Sequence, residues 1–222
     1  MARLVVFDLD HTLLSGDSDV LWCDFLLARG ELDRAAFAAR NAEVERRYRA
    51  GEITAQAFTE FYLSTLAGRA RAALASLRED FMREAIVPRI PASARALVET
   101  HRRAGDLLVL STATNRFLVE LTARDLGFEH LIATEPEVRG GAFSGRATGV
   151  LNMREGKPRR LRDWLAGRGL ADSALADASA YSDSINDLPL LQAVGRPVAV
   201  DPDAKLLAHA LARGWRVMRL ER

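Results

Sequence analysis

Near its start the chain carries four apolar residues, Leu4-Val5-Val6-Phe7, and the run stops at once on two carboxylates separated by a single residue, Asp8-Leu9-Asp10. A short, uninterrupted apolar run of this kind predicts a strand buried on both faces that ends in a functional loop. The pattern recurs: Leu107-Leu108-Val109-Leu110 leads into Ser111-Thr112, Leu131-Ile132-Ala133 into Thr134-Glu135, and Pro197-Val198-Ala199-Val200 into Asp201-Pro202. Helix-like stretches lie between them at 115–126, 158–165 and 203–212, with Gly127 and Gly214 as stops. Strands alternating with helices predict an α/β fold, a doubly wound, mainly parallel, Rossmann-like sheet. Ligands bind such sheets beyond the carboxyl ends of the strands, where Asp8, Ser111 and Asp201 would stand.

The segment 17–86 breaks the alternation. It is rich in Ala, Leu, Arg, Glu and Phe, carries one internal punctuation at Gly51-Glu52, and spaces Leu21 and Phe25, then Phe58, Phe61, Tyr62 and Leu66, at helical intervals. Three or four helices are expected there, forming an all-helical cap of 17–86 inserted into a core of 1–16 and 87–222. Pro88-Arg89-Ile90-Pro91 would be the return linker. Its place between the first two strands suits a lid over the strand ends. The glycine-rich stretch 137–150 predicts a small hairpin.

The 222 residues balance 31 basic against 30 acidic side chains, a net charge of +1, which leaves no cation excess for a row of phosphates and argues against a nucleic-acid binder. Cys23 is the only cysteine, so neither an intrachain disulfide nor a cysteine metal site is expected. No stretch approaches a signal-peptide core or a membrane span. A complete cytoplasmic protein, monomer or homodimer, acting on a small molecule is the expectation. Only Lys157 and Lys205 among the basic residues are lysines, which draws attention to both.

Four groups of residues could carry chemistry. Asp8 and Asp10, placed where a strand opens, can face one cavity; their repulsion calls for a hard divalent cation such as Mg2+, unless the pair is a solvated turn or a helix cap. Asp183 and Asp187 in Ser182-Asp183-Ser184-Ile185-Asn186-Asp187 bring a second acidic pair to the same sheet edge, with Ser184 or Asp183 also able to cap the next helix. Ser111-Thr112 sits between a strand and a helix, as an anion site or a cap would. Lys157, between Gly156 and Pro158, is either a solvated lysine or a point charge for a phosphate oxygen.

Together, and in their order along the chain, these groups resemble the haloacid dehalogenase superfamily, in particular its phosphoserine-phosphatase-like branch, which carries a helical cap between the first two motifs. The resemblance implies an Mg2+-dependent phosphomonoesterase in which Asp8 becomes an aspartyl phosphate and Asp10 is the general acid and base. Thr12 would support the first loop, and Ser111, Thr112 and Lys157 would hold the phosphoryl oxygens. Asp183, with Asp8 and the backbone carbonyl of Asp10, would hold the metal, with Asn186 and Asp187 in support. The physical logic agrees: a carboxylate and a phosphate dianion repel, so attack needs cations, and a covalent intermediate divides one hard step into two. Partial burial is expected to raise the pKa of Asp10, offset by the metal.

Two positions depart from the phosphoserine phosphatases. The glutamate they use for the substrate amino group, nine residues after the nucleophile, corresponds to Asp17 here, and Tyr62 falls where they place a carboxylate-binding arginine. An acid without that arginine favours an amine-bearing phosphomonoester such as histidinol phosphate over phosphoserine, which is the alternative substrate. A receiver-like phospho-Asp signalling domain or a non-catalytic binding protein on the same fold is the alternative of another class. Arg46, Arg47 or Arg49 could contact a substrate anion, whereas His11 and the tryptophans are expected to pack.

Overall fold

The computed structural model describes residues 2–222, with the side chain of Arg49 outside the described set. Seven strands form one sheet in the order β4-β3-β2-β1-β5-β6-β7. They are β1 (Leu4–Phe7), β2 (Leu107–Asn115), β3 (His130–Arg139), β4 (Ala142–Thr148), β5 (Ser179–Ser182), β6 (Arg196–Val200) and β7 (Arg216–Met218). All pairings are parallel except β3 with β4, the predicted hairpin, which turns through Gly140 and Gly141, both at positive φ.

The apolar run of β1 shows why the sheet is covered on both sides. Val5 and Phe7 join one buried cluster, with Ala94 and Val98 of α5 (Ala92–Arg103) and Phe117 and Leu118 of α6 (Arg116–Asp125). Leu4 and Val6 join the other, with Leu161 and Leu165 of α7 (Gly156–Gly167), Leu190 of α8 (Leu188–Gln192) and Leu206 of α9 (Ala204–Arg213). A period of two splits a continuous apolar run between two layers of helices. The strand order reverses direction at β1, so the carboxyl end of this central strand opens a crevice toward β2 and β5.

The segment between β1 and α5 holds α1 (Ser18–Ala28), α2 (Arg34–Arg49), α3 (Ala55–Leu63) and α4 (Ala75–Phe81), followed by a wider π-type turn at Met82–Ile86. Its ends are built into the core: Trp22, Phe25 and Leu26 of α1, with Phe81 and Ile86, pack in the same cluster as Val5 and Phe7. Its middle is separate, with Cys23, Phe61 and Tyr62 covered by Phe37, Val44 and Phe58. The insertion also leans on the hairpin through Gly68 N–H to Phe143 O and Phe143 N–H to Arg69 O. Among the described residues no helix is long and apolar enough to cross a membrane.

Candidate active site

Asp8 is the first residue beyond β1, and its backbone N–H is held by Tyr181 O of β5 at 2.9 Å. The following loop turns tightly on the Leu9 carbonyl, which accepts from the N–H groups of Thr12, Leu13 and Leu14, with His11 in the left-handed region at φ 58°. This turn brings the Thr12 hydroxyl back to the strand end, where Oγ1 is 3.0 Å from both Asp8 Oδ2 and Asp183 Oδ1 and accepts from Asp183 N–H at 3.1 Å. Its single hydrogen serves one carboxylate at a time.

Lys157 reaches the same point from the first turn of α7. Its Nζ donates to Asp8 Oδ1 at 2.7 Å and to Asp187 Oδ2 at 2.5 Å, and Ser182 Oγ donates to Asp187 Oδ2 at 2.8 Å. Gly156 makes this approach possible: a Cβ there would lie 2.0 Å from Leu151 O, so any side chain would push the helix start away. Burial opposes the charge on Lys157, but Asp187 and Asp8 outweigh it and hold the ammonium above its usual pKa.

One ammonium does not neutralise this many acids. Burial, only partly offset by Lys157, pushes Asp8 up to about 7, and burial together with the charge of Asp8 pushes Asp183 up to about 8. Asp10 is also raised, by burial first and Asp17 second, while hydrogen bonds from Ser18 and Thr114 counter the shift. Ser18 N–H and Ser18 Oγ reach its Oδ1, and Thr114 Oγ1, at 2.7 Å, and Thr112 Oγ1, at 3.3 Å, reach its Oδ2.

These residues border a cavity of about 320 Å³. Asp8, Asp10, Lys157, Asp183 and Asp187 line it, together with the exposed Asn186 and with Asp17 and Tyr62 of the insertion. Ser111 and Thr112 are not on the wall. Both are fully buried, with Ser111 Oγ 3.1 Å from Asn152 Nδ2 and the Thr112 hydroxyl turned to Asp10; the residues of β2 that face the cavity are Ala113 and Thr114. Arg46 pairs with Glu43 and Glu52 on an exposed face, Arg47 also lies beside Glu52, and Arg49 falls outside the described side chains. His11, expected to pack, is exposed at the cavity rim, whereas Trp22 is buried as expected.

Asp17 and Tyr62 are singled out in the sequence, but several neighbours on the wall escape such a reading. Asp17 is the N-cap of α1, its Oδ1 accepting from the N–H groups of Asp19 and Val20. Asp19, in the first turn of that helix, also faces the cavity; burial and then the charges of Asp17 and Asp10 hold its carboxyl well above the usual range, against one 3.3 Å hydrogen bond from Asn115. Tyr48 of α2 and Phe58 of α3 stack at 4.2 Å beside Tyr62, and Arg154 lies over the Tyr48 ring. A Ser-Asp pair opening a helix and a Thr two residues after Thr112 were the only signals for Ser18, Asp19 and Thr114.

The donor set suits a hard divalent cation. Among the described residues no three His, Cys, Asp or Glu side chains cluster as a metal site. The buried Asp8 and the half-buried Asp183, two carboxylates short of positive charge that share the Thr12 hydroxyl, nevertheless match an ion that keeps several waters and takes one or two carboxylates.

A family model described as haloacid dehalogenase-like hydrolase matches residues 5–192. A histidinol-phosphatase of Neisseria meningitidis serogroup C is 38% identical over 222 residues, the full length of both chains. A phosphoserine phosphatase of Mycobacterium tuberculosis is 35% identical over 221 residues, 95% of this chain and 68% of that protein. The crystal structure of a Bordetella pertussis protein of unknown function shares 47% identity, covers 98% of both chains and superposes with a TM-score of 0.93.

Proposed function

The chain belongs to the haloacid dehalogenase-like hydrolases, and on that premise we propose that it is a phosphomonoesterase working through an aspartyl phosphate on a small amine-bearing phosphate ester, with histidinol phosphate as the substrate. The carrying observation is the buried Asp8 carboxylate, held between Lys157 and Thr12 just beyond the central strand, with Asp10 lining the same cavity. Asp8 attacks phosphorus, the bond from phosphorus to the ester oxygen breaks, and Asp10 gives its proton to the departing oxygen. Asp10 then takes a proton from the attacking water as the bond from Asp8 to phosphorus breaks and phosphate leaves. Lys157 holds a phosphoryl oxygen throughout. Asp8, Asp183 and the Asp10 carbonyl would hold Mg2+, which when bound supplies the positive charge that lets a dianion approach a carboxylate.

Ser111 and Thr112 enter this reading as support, Ser111 beside the strand end and Thr112 through Asp10, with Asn186 at the rim. The helices of 17–86 act as the cap, its α2–α3 portion supplying the aromatic wall. Asp17 and Asp19 with Tyr48, Phe58 and Tyr62 form an acidic, aromatic surface suited to a cationic leaving group. Phosphoserine is the second reading, favoured by Arg154 on the cavity wall, a cation that could meet a carboxylate. A cytosolic setting is supported by Cys23 standing alone and by a metabolite as substrate. Phosphate release from histidinol phosphate, phosphoserine and an aryl phosphate, each with Mg2+ or EDTA and with Asp8→Asn as control, tests the proposal. Activity that survives EDTA or the substitution overturns the mechanism, and preference for phosphoserine overturns the substrate.

A further inference from the structure

The loop's own turns close on Leu9 O, Leu14 O and Gly16 O and leave the carbonyls of His11 and Thr12 unused. They meet the guanidinium of Arg222, at the far end of the sequence. Arg222 Nη2 lies within hydrogen-bond reach of His11 O and, at 3.2 Å, of Thr12 O, and Nη1 donates to Ser15 Oγ at 3.2 Å. The fork is itself anchored: Nε and Nη2 are 3.1 and 2.9 Å from Asp201 Oδ2, directly beyond β6. Asp201 is committed to this task, standing at φ 43° with its carboxylate also facing Leu220 N–H at 3.4 Å, and Ser93 Oγ ties down Glu221 O at 2.6 Å.

We infer that Arg222 is a positioning residue for the nucleophile, a clamp that fixes the outer side of the Asp8–Ser15 loop against Asp201. The connection runs through one residue. Thr12 offers its carbonyl to Arg222 and its hydroxyl to Asp8 and Asp183, so the guanidinium sets where the hydroxyl stands between the two carboxylates. A planar fork can turn its Nε–Nη2 edge to one carboxylate oxygen and share its remaining hydrogens among the loop acceptors, a geometry an ammonium cannot match. A loop with His11 held at positive φ has a reason to relax once its outer contacts are removed.

The inference rests on Asp8 being the nucleophile, so its test includes a measurement that does not. In Arg222→Ala, kcat should fall about tenfold with KM within twofold, because a small displacement of the attacking group costs turnover more than binding. Amide exchange across residues 9–16 should accelerate, and millimolar guanidinium should restore much of the lost turnover. Arg222→Lys should recover thermal stability through Asp201 while kcat stays below wild type. Unchanged exchange across 9–16, or kcat within twofold of wild type in Arg222→Ala, overturns the inference. A wild-type protein without phosphatase activity overturns the proposed function instead and leaves the exchange result to judge the clamp.

Discussion

Lys157 Nζ lies 2.7 Å from Asp8 Oδ1, and the two side chains are only 3% and 9% exposed. Removing one partner of such a pair strands the other, which costs about 3–5 kcal/mol, whereas the intact pair contributes little net stability. Lys157→Met, close in volume, should therefore lower the melting temperature and lower kcat by about 10²- to 10³-fold through lost charge stabilisation. The stability deficit should shrink at acidic pH, where Asp8 takes up a proton. Melting curves at pH 5.5 and 8 with steady-state assays check both, and a deficit equal at the two pH values would contradict the account.

The metal-free protein should lose stability as pH rises. Asp8 is held up to about 7 and Asp183 up to about 8 by burial, from an ordinary 3.8. Between pH 4 and 8 the folded chain therefore binds more protons at these sites than the unfolded chain, and their contribution declines as pH climbs through that window. Mg2+ competes with those protons, so it should raise the melting temperature more at pH 8 than at pH 5.5. Thermal melts with Mg2+ against EDTA at the two values decide it; a larger gain at pH 5.5 would count against Asp8 and Asp183 as the metal end.

The meeting of Asp8 and Lys157 at one cavity was legible because it depends on local grammar: an apolar strand fixes where Asp8 stands, and a lysine in an arginine-rich chain marks Lys157. The sheet was legible for the same reason, although the three-residue edge strand Arg216–Met218 is too short to leave a pattern and β3 runs six residues past its apolar run into the hairpin. Ser111 and Thr112 illustrate the limit. Their strand could be read, but Asn152, whose amide Nδ2 lies within 3.1 Å of Ser111 Oγ and 2.9 Å of Thr112 O and Ile132 O, comes from a loop with no periodicity. Asp19 and Arg222 were hidden by geometry alone, since the facing of the first turn of α1 is set by the Asp17 cap, and the contact of Arg222 with His11 spans the chain.

In the proposed mechanism Asp10 donates a proton in the first step, and the hydroxyl of Thr114 at 2.7 Å favours its ionised form. Thr114→Val should raise the pKa of Asp10 further. The profile of kcat/KM, which covers events through phosphoryl transfer, should keep its acid form to higher pH, so the alkaline limb moves up. A limb that stays in place would separate Thr114 from the acid. Ser18→Ala, which removes a donor from the other carboxylate oxygen, should move the limb in the same direction.

Discrimination among substrates should reside in Asp19 more than in Asp17. One oxygen of Asp17 is already spent on the backbone of α1, whereas Asp19 has one long hydrogen bond and a carboxyl that burial leaves short of positive charge. A buried carboxylate in that condition gains most from a substrate ammonium or imidazolium, and a hydrogen bond to a charged group contributes about 1.5–3 kcal/mol, roughly 10- to 100-fold in affinity. Asp19→Asn should raise KM for histidinol phosphate by about that factor and leave a neutral aryl phosphate unchanged, since the aryl ester has nothing for the acid to hold. Asp17→Asn should act more weakly, because asparagine also caps a helix. If Asp19→Asn raises KM equally for both esters, the residue is holding the loop and not the amine, and recognition of the leaving group must then fall to the aromatic wall of Tyr48, Phe58 and Tyr62.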